Sequence, residues 1–154
     1  MKQSCYAFLI AILAVVMLFS SCRKEEDSDI NVATVLTAKM DGVLFTPAWA
    51  LASLHEDELL LGGSSTSGDL NIRLGSPIVV GTYTVQSGTE DYLYWYNNQY
   101  NFSYVANPGT IIITKYDTIN NRIEGTFTGT MMATGATVMN LTNGIFKITY
   151  QEIN

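Results

Sequence analysis

Beyond residue 30 the polar and apolar positions of the chain alternate with a period of two, as in strands whose side chains point to opposite faces of a sheet. Near the C-terminus, Phe146, Ile148 and Tyr150 face one way and Ile145, Lys147 and Thr149 the other. Between residues 123 and 130, Ile123, Gly125, Phe127 and Gly129 oppose Glu124, Thr126, Thr128 and Thr130. A threonine-lined outer face of this kind suits an antiparallel sheet that is wet on one side. Four dipeptides punctuate the pattern with residues that tolerate positive φ or bond to their own backbone. Asp41-Gly42 separates strands 35–40 and 43–45, Asn97-Asn98 separates 92–96 and 100–104, Asn120-Asn121 separates 111–116 and 122–132, and Asn143-Gly144 separates 138–141 and 145–150. Further strands are expected at 58–62, 70–74 and 82–85. No stretch keeps apolar residues at helical spacing between caps; the best helical candidate, Ala48–His55, is short and follows Pro47. Short strands at regular spacing predict an all-β domain, an antiparallel β-sandwich by preference and a lipocalin-like small β-barrel as the alternative.

The first 30 residues break this pattern. Lys2 precedes an uncharged apolar run from Tyr6 to Phe19, 14 residues long. That length fits a signal peptide and falls short of the roughly 20 apolar residues that a membrane-spanning helix needs. Phe19-Ser20-Ser21-Cys22 then sets small residues directly before a cysteine. This resembles the lipobox of bacterial lipoproteins, with an aromatic where many have Leu. The resemblance implies that residues 1–21 are a signal peptide that is removed and that Cys22 is lipidated as the first mature residue. Each buried CH₂ of an acyl chain contributes about 0.8 kcal/mol and one chain holds only marginally, so two or three on Cys22 would anchor the protein without a transmembrane helix. Residues 22–30 carry the tract Arg23-Lys24-Glu25-Glu26-Asp27-Ser28-Asp29, which has nothing apolar to bury and reads as a solvated, disordered tether. The tract looks like the Lys-plus-acidic export signal of Bacteroidota surface lipoproteins. That implies an outer-membrane location with the domain facing outward; a tether facing the periplasm is the alternative.

Composition narrows what residues 31–154 can be. Cys5 leaves with the signal and Cys22 carries lipid, which excludes disulfides and thiol chemistry from the mature domain. The 124 positions that remain make one ordinary domain. They hold five Lys and Arg against ten Asp and Glu, a net charge of −5, with the cations scattered singly. Neutralising a phosphate backbone takes clustered cations, so nucleic acid is not an expected partner.

Candidate chemistry centres on Asp91–Tyr104. Read as a hairpin, it sets Tyr92, Tyr94 and Tyr96 on one face with Leu93 and Trp95 opposite, and Tyr100, Phe102 and Tyr104 on a face opposed by Asn101 and Ser103. If Leu93 and Trp95 point to the core, Tyr92, Tyr94, Tyr96 and Tyr100, with Asn98 beside them, form an exposed platform able to stack and hydrogen-bond a sugar ring or to meet a protein. The plainer alternative is cross-strand aromatic packing within the sheet, about 0.2–1 kcal/mol per pair. His55-Glu56-Asp57-Glu58 joins a histidine to three acids but lacks the spacing of a calcium loop, and His55 is the sole histidine, so it reads as a solvated turn with no metal. Gly62–Gly68 has no phosphate-binding lysine and reads as a flexible loop. No nucleophile elbow surrounds any serine, and no cofactor pattern is present. A pair of carboxylates for glycoside hydrolysis would have to meet in space and cannot be picked from the sequence. The leading expectation is therefore a non-enzymatic, surface-anchored binding or accessory module for glycan or a partner protein. A structural envelope component is the alternative, with a two-carboxylate hydrolase behind it.

Four spaced motifs complete the reading: Ala38-Lys39-Met40-Asp41-Gly42-Val43, Gly81-Thr82-Tyr83, Gly125-Thr126-Phe127 and Thr142-Asn143-Gly144-Ile145-Phe146. In this order they resemble a family of uncharacterised lipoprotein domains of Bacteroidota over most of residues 34–150. The resemblance implies an all-β extracytoplasmic domain and brings no catalytic residues with it.

Overall fold

The computed structural model describes residues 33–153; the expected signal peptide, Cys22 and the tether lie outside the described residues. Eleven strands follow one another: β1 (Val35–Met40), β2 (Val43–Phe45), β3 (Trp49–His55), β4 (Glu58–Ser65), β5 (Gly68–Leu74), β6 (Gly81–Val85), β7 (Tyr92–Asn97), β8 (Phe102–Asp117), β9 (Arg122–Met132), β10 (Met139–Thr149) and β11 (Gln151–Ile153). They form one sheet in the order β11-β3-β4-β5-β7-β8-β9-β10-β1-β2, with β6 paired to β8 off that path. Every pairing is antiparallel except β11 with β3.

The all-β class is thus what the chain forms. The layout corrects the preferred sandwich: instead of two separate sheets, one strongly curled sheet makes a half-barrel. The reason lies in the long strands. Register shifts between Ala106 and Gly109 in β8 and between Leu141 and Gly144 in β10 mark bulges, which bend a strand and increase its twist without breaking the sheet. β10 then runs through Tyr150 into β11, so a strand near one end of the path leads directly into the strand at its other edge.

Local chemistry explains where strands stop. Asp41 and Gly42 have φ of 47° and 83° and make the turn that places Met40 opposite Val43. Glu56 and Asp57 likewise have positive φ, 45° and 68°, between the paired His55 and Glu58. The His55–Glu58 cluster is therefore the tip of a tight hairpin. Ala48–His55 is strand: Ala50, Ala52 and Leu54 line the inner side of β3 while Trp49, Leu51 and Ser53 face out. Gly62–Gly68 is not a loop; residues up to Ser65 belong to β4, Gly68 opens β5, and only Thr66 and Ser67 turn between them. Asn143-Gly144 ends no strand. Asn143, at φ 53°, occupies the bulge of a continuous β10.

The inner face carries the core. Leu59, Leu70, Ile72, Leu74, Leu93 and Ile111 are among its fully buried side chains. Phe127 stacks on Phe146 at 6.3 Å, and Phe45 meets Trp95 edge-on at 5.2 Å. The alternation expected along β9 and β10 is realised, with Ile123, Phe127, Phe146, Ile148 and Tyr150 buried. Among the described residues two buried side-chain polar atoms lack a hydrogen-bond partner, Trp95 Nε1 and the Tyr150 hydroxyl. Burial pushes the Tyr150 hydroxyl well above the usual tyrosine range, helped by the adjacent Tyr116.

Candidate functional site

Residues directly opposite each other on neighbouring strands share a face, so the register assembles the outer surface row by row. One row reads Trp49, Ser64, Asp69, Tyr96, Ser103 across β3, β4, β5, β7 and β8. The next reads Leu51, Gly62, Asn71, Tyr94, Val105 and extends to Met132 on β9. A third holds Leu60, Arg73 and Tyr92. Three tyrosines expected on one face are therefore together on the outer face of β7, each half-buried, with Leu93 and Trp95 in the core beneath them.

The second hairpin strand differs from expectation. Asn97 pairs with Phe102 across the turn 98–101, in which Asn101 has φ 54°. That register sets Trp95 opposite Tyr104 and Tyr94 opposite Val105. Tyr104, 7% exposed, consequently joins the core, Phe102 packs against it partly buried, and Ser103 and Val105 take the outer positions. Tyr100 (61% exposed) and Asn98 sit in the turn beyond the three tyrosines. Asn98 ties two turns together: its side-chain amide donates to the Ser65 carbonyl at 3.3 Å and its backbone N–H to Ser67 at 3.2 Å.

The tyrosines are held rather than loose. The Tyr94 hydroxyl and Ser103 Oγ share a hydrogen bond of 2.8 Å, and the Tyr96 hydroxyl donates to Asn101 Oδ1 at 3.0 Å. Arg73 lies over the Tyr92 ring, 5.8 Å from its centroid, while its Nε and Nη2 grip both oxygens of Glu58 at 2.6 and 2.7 Å. Two hollows open on this surface and share Tyr92 and Val105. One is a shallow apolar depression between Asn71, Tyr92, Tyr94 and Val105. The other is a notch of about 360 Å³ at the place where the edge of β8 passes from β7 to β6, bordered by Gln86, Thr89, Asp91, Asn107 and Met132. Thr89 pins that border by donating to the Gln86 and Asp91 carbonyls, and Asp91 Oδ1 accepts from the Gly75 N–H at 2.9 Å.

Four of the five Lys and Arg side chains among the described residues are neutralised by neighbouring acids. Arg73 pairs with Glu58, Lys115 with Asp117, and Arg122 and Lys147 with Glu124. The guanidinium hydrogen bonds hold Glu58 below the usual carboxylate range, against the opposing effect of desolvation. Hydrogen bonds from the Asn120 side chain and backbone do the same for Asp117. A carboxyl whose folded pKa is depressed contributes stability above its unfolded pKa, and that stability is lost as pH falls through the folded value. The thermal midpoint is accordingly expected to hold level near neutrality and to fall below about pH 4.5, the ordinary value for the Glu58 carboxyl. Replacing Glu58 and Asp117 with Gln and Asn should flatten that fall in a circular-dichroism melt series; an unchanged slope would assign acid sensitivity to other carboxylates. Among the described residues no three His, Cys, Asp or Glu side chains gather closely enough to hold a metal ion.

Sequence reasoning missed half of this surface. Trp49 and Leu51, each 55% exposed, belong to it, and the helix considered for Ala48–His55 hid them. The available signal was the every-second-residue spacing of Ala50, Ala52 and Leu54, weak because two of the three are alanine.

A half-barrel of one mixed, mostly antiparallel sheet with an aromatic outer face defines a class of domain more readily than an activity. Over residues 33–148 the chain matches the model of a domain of unknown function, DUF6252, and it belongs to that family. No curated protein and no solved structure shows a match to it.

Proposed function

We propose that this chain is the precursor of a lipoprotein, anchored at Cys22 to the outer membrane with its β-domain facing outward, and that the domain is a non-enzymatic binding module for glycan. One observation carries the binding reading: Tyr92, Tyr94 and Tyr96 stand side by side on the outer face, with their rings half-open, above a fully packed core. Packing of the interior does not require them there. Rigid rings offer faces for sugar stacking, and Asn71, Gln86, Asp91 and Asn107 supply hydrogen-bonding groups at the borders of the two hollows. A second reading, a structural or partner-binding component of the envelope, draws on the internal bonds of the Tyr94 and Tyr96 hydroxyls and on the exposed Trp49 and Leu51. Hydrolysis by two carboxylates finds less support, since Asp91 is the one acid bordering the notch.

A polysaccharide screen with the purified full-length chain in detergent tests the binding reading. The parent should bind at least one polysaccharide, and a Tyr92/Tyr94/Tyr96→Ala variant with an unchanged circular-dichroism spectrum should lose that binding. A parent that binds none returns the tyrosines to sheet packing and turns attention to protein partners. For the anchor, Cys22→Ala should abolish incorporation of labelled palmitate and release the protein from the membrane fraction. Continued incorporation in that variant would remove the lipoprotein reading.

A further inference from the structure

We infer that the outer face binds an internal stretch of an uncharged glycan chain lying across the strands, with Trp49 forming a distal subsite three strands from the tyrosines. This rests on the glycan reading above and adds direction, charge and length to it. Direction follows from the rows. Trp49 and Tyr96 stand three strands apart in one row and Leu51 and Tyr94 in the next, with Ser64, Asp69, Gly62 and Asn71 between them. Strands lie about 4.8 Å apart, so β3 and β7 are separated by about 14 Å along the sheet. That is a span of several pyranose rings, with an aromatic or aliphatic side chain at each end and hydrogen-bonding groups in the middle.

Gly62 keeps the middle of this track low. A side chain there would run into Asn71 Oδ1 and the Leu70 carbonyl, each 2.7 Å from where its Cβ would stand. In the second row the middle therefore carries only the Asn71 side chain, between Leu51 and Tyr94. Past the tyrosines the rows continue through Ser103 and through Val105 to Met132, which extends the track for a longer chain.

Charge selects against acidic ligands. The cation beside the track, Arg73, is neutralised by Glu58, whose two oxygens accept from its Nε and Nη2. The other charged side chains along the track and notch, Asp69 and Asp91, are acids. A carboxylated or sulfated glycan would meet two like charges there and a guanidinium already neutralised by Glu58, whereas a neutral one meets hydrogen-bonding partners, rings and aliphatic side chains.

Calorimetry on the full-length chain in detergent tests this with gluco-, xylo- and manno-oligosaccharides from mono- to hexasaccharide, alongside oligogalacturonates and heparin fragments. Affinity for the preferred neutral series should climb with length, and end-reduced hexasaccharide should bind like the native one. Trp49→Ala should weaken hexasaccharide binding about tenfold, the effect of losing one stacked ring, while leaving disaccharide binding unchanged. Tyr94→Ala should weaken both. Equal affinity for di- and hexasaccharide with no effect of Trp49→Ala would overturn the cross-strand track and leave the glycan reading standing. So would preference for the charged fragments, lost in Tyr94→Ala, with respect to ligand charge. Absence of binding by every oligosaccharide would overturn both the inference and the reading beneath it.

Discussion

Phe127→Ala is expected to destabilise the domain by about 3–5 kcal/mol, the range for deleting a buried phenylalanine ring. Phe127 is 1% exposed and stacks on Phe146. Its ring also lies over Gly144, the residue it opposes at the β10 bulge, and occupies the space that a side chain there would take. One wall of the resulting hole would be the Gly144 backbone of β10, held in place by its ladder with β9, and the other the Phe146 ring, so collapse could refill only part of it. Small domains have only about 5–15 kcal/mol of net stability, so this one ring accounts for a large share. Urea unfolding should show a much lower midpoint with an unchanged slope; a loss below about 1 kcal/mol would mean that the sheet closes over the gap.

Gly125→Ala is expected to be nearly as severe, at about 3 kcal/mol, the upper end of the usual cost of overpacking. Gly125 pairs with Ile113 on β8 and with Phe146 on β10. A methyl group on it would collide with the Ile112 carbonyl and with the Phe146 ring. The ring can swing away, but the carbonyl can withdraw only if β8 and β9 separate. Adding Phe146→Ala to Gly125→Ala should therefore recover none of the stability. A Gly125→Ala protein that unfolds at the parent's urea concentration would show that the β8–β9 ladder is softer than its register implies.

These two glycines show where the sequence was legible and where it was not. The turns at Asp41-Gly42 and Asn120-Asn121 were legible because a short polar pair sat between two alternating runs. Asn143-Gly144 has the same chemistry and the same flanks, yet its positive φ serves a bulge. The choice between turn and bulge is made by β1 and β9 on either side of it, which no local window includes. Likewise, Tyr92, Tyr94 and Tyr96 could be placed together by alternation alone, whereas Tyr104 could not be assigned a face until the length of the turn 98–101 set its register. Trp49 escaped notice for a different reason. Its place on the outer surface depends on β4 and β5, whose register with β3 and β7 brings it into line with Tyr96. The site is a property of rows across the sheet, and a sequence displays only columns.

The position of β10 bears on when this protein can fold. It lies between β9 and β1, so the β1–β2 hairpin joins the rest of the sheet only through it, and Val35 waits for Lys147. Contacts so distant in sequence fold slowly, since the loop between them must close before they form. A nascent chain that lacks residues 139–153 therefore has its first hairpin adrift and two raw strand edges where β10 belongs. Closure of the sheet is therefore deferred until residues 139–153 are available to pair with β1 and β9.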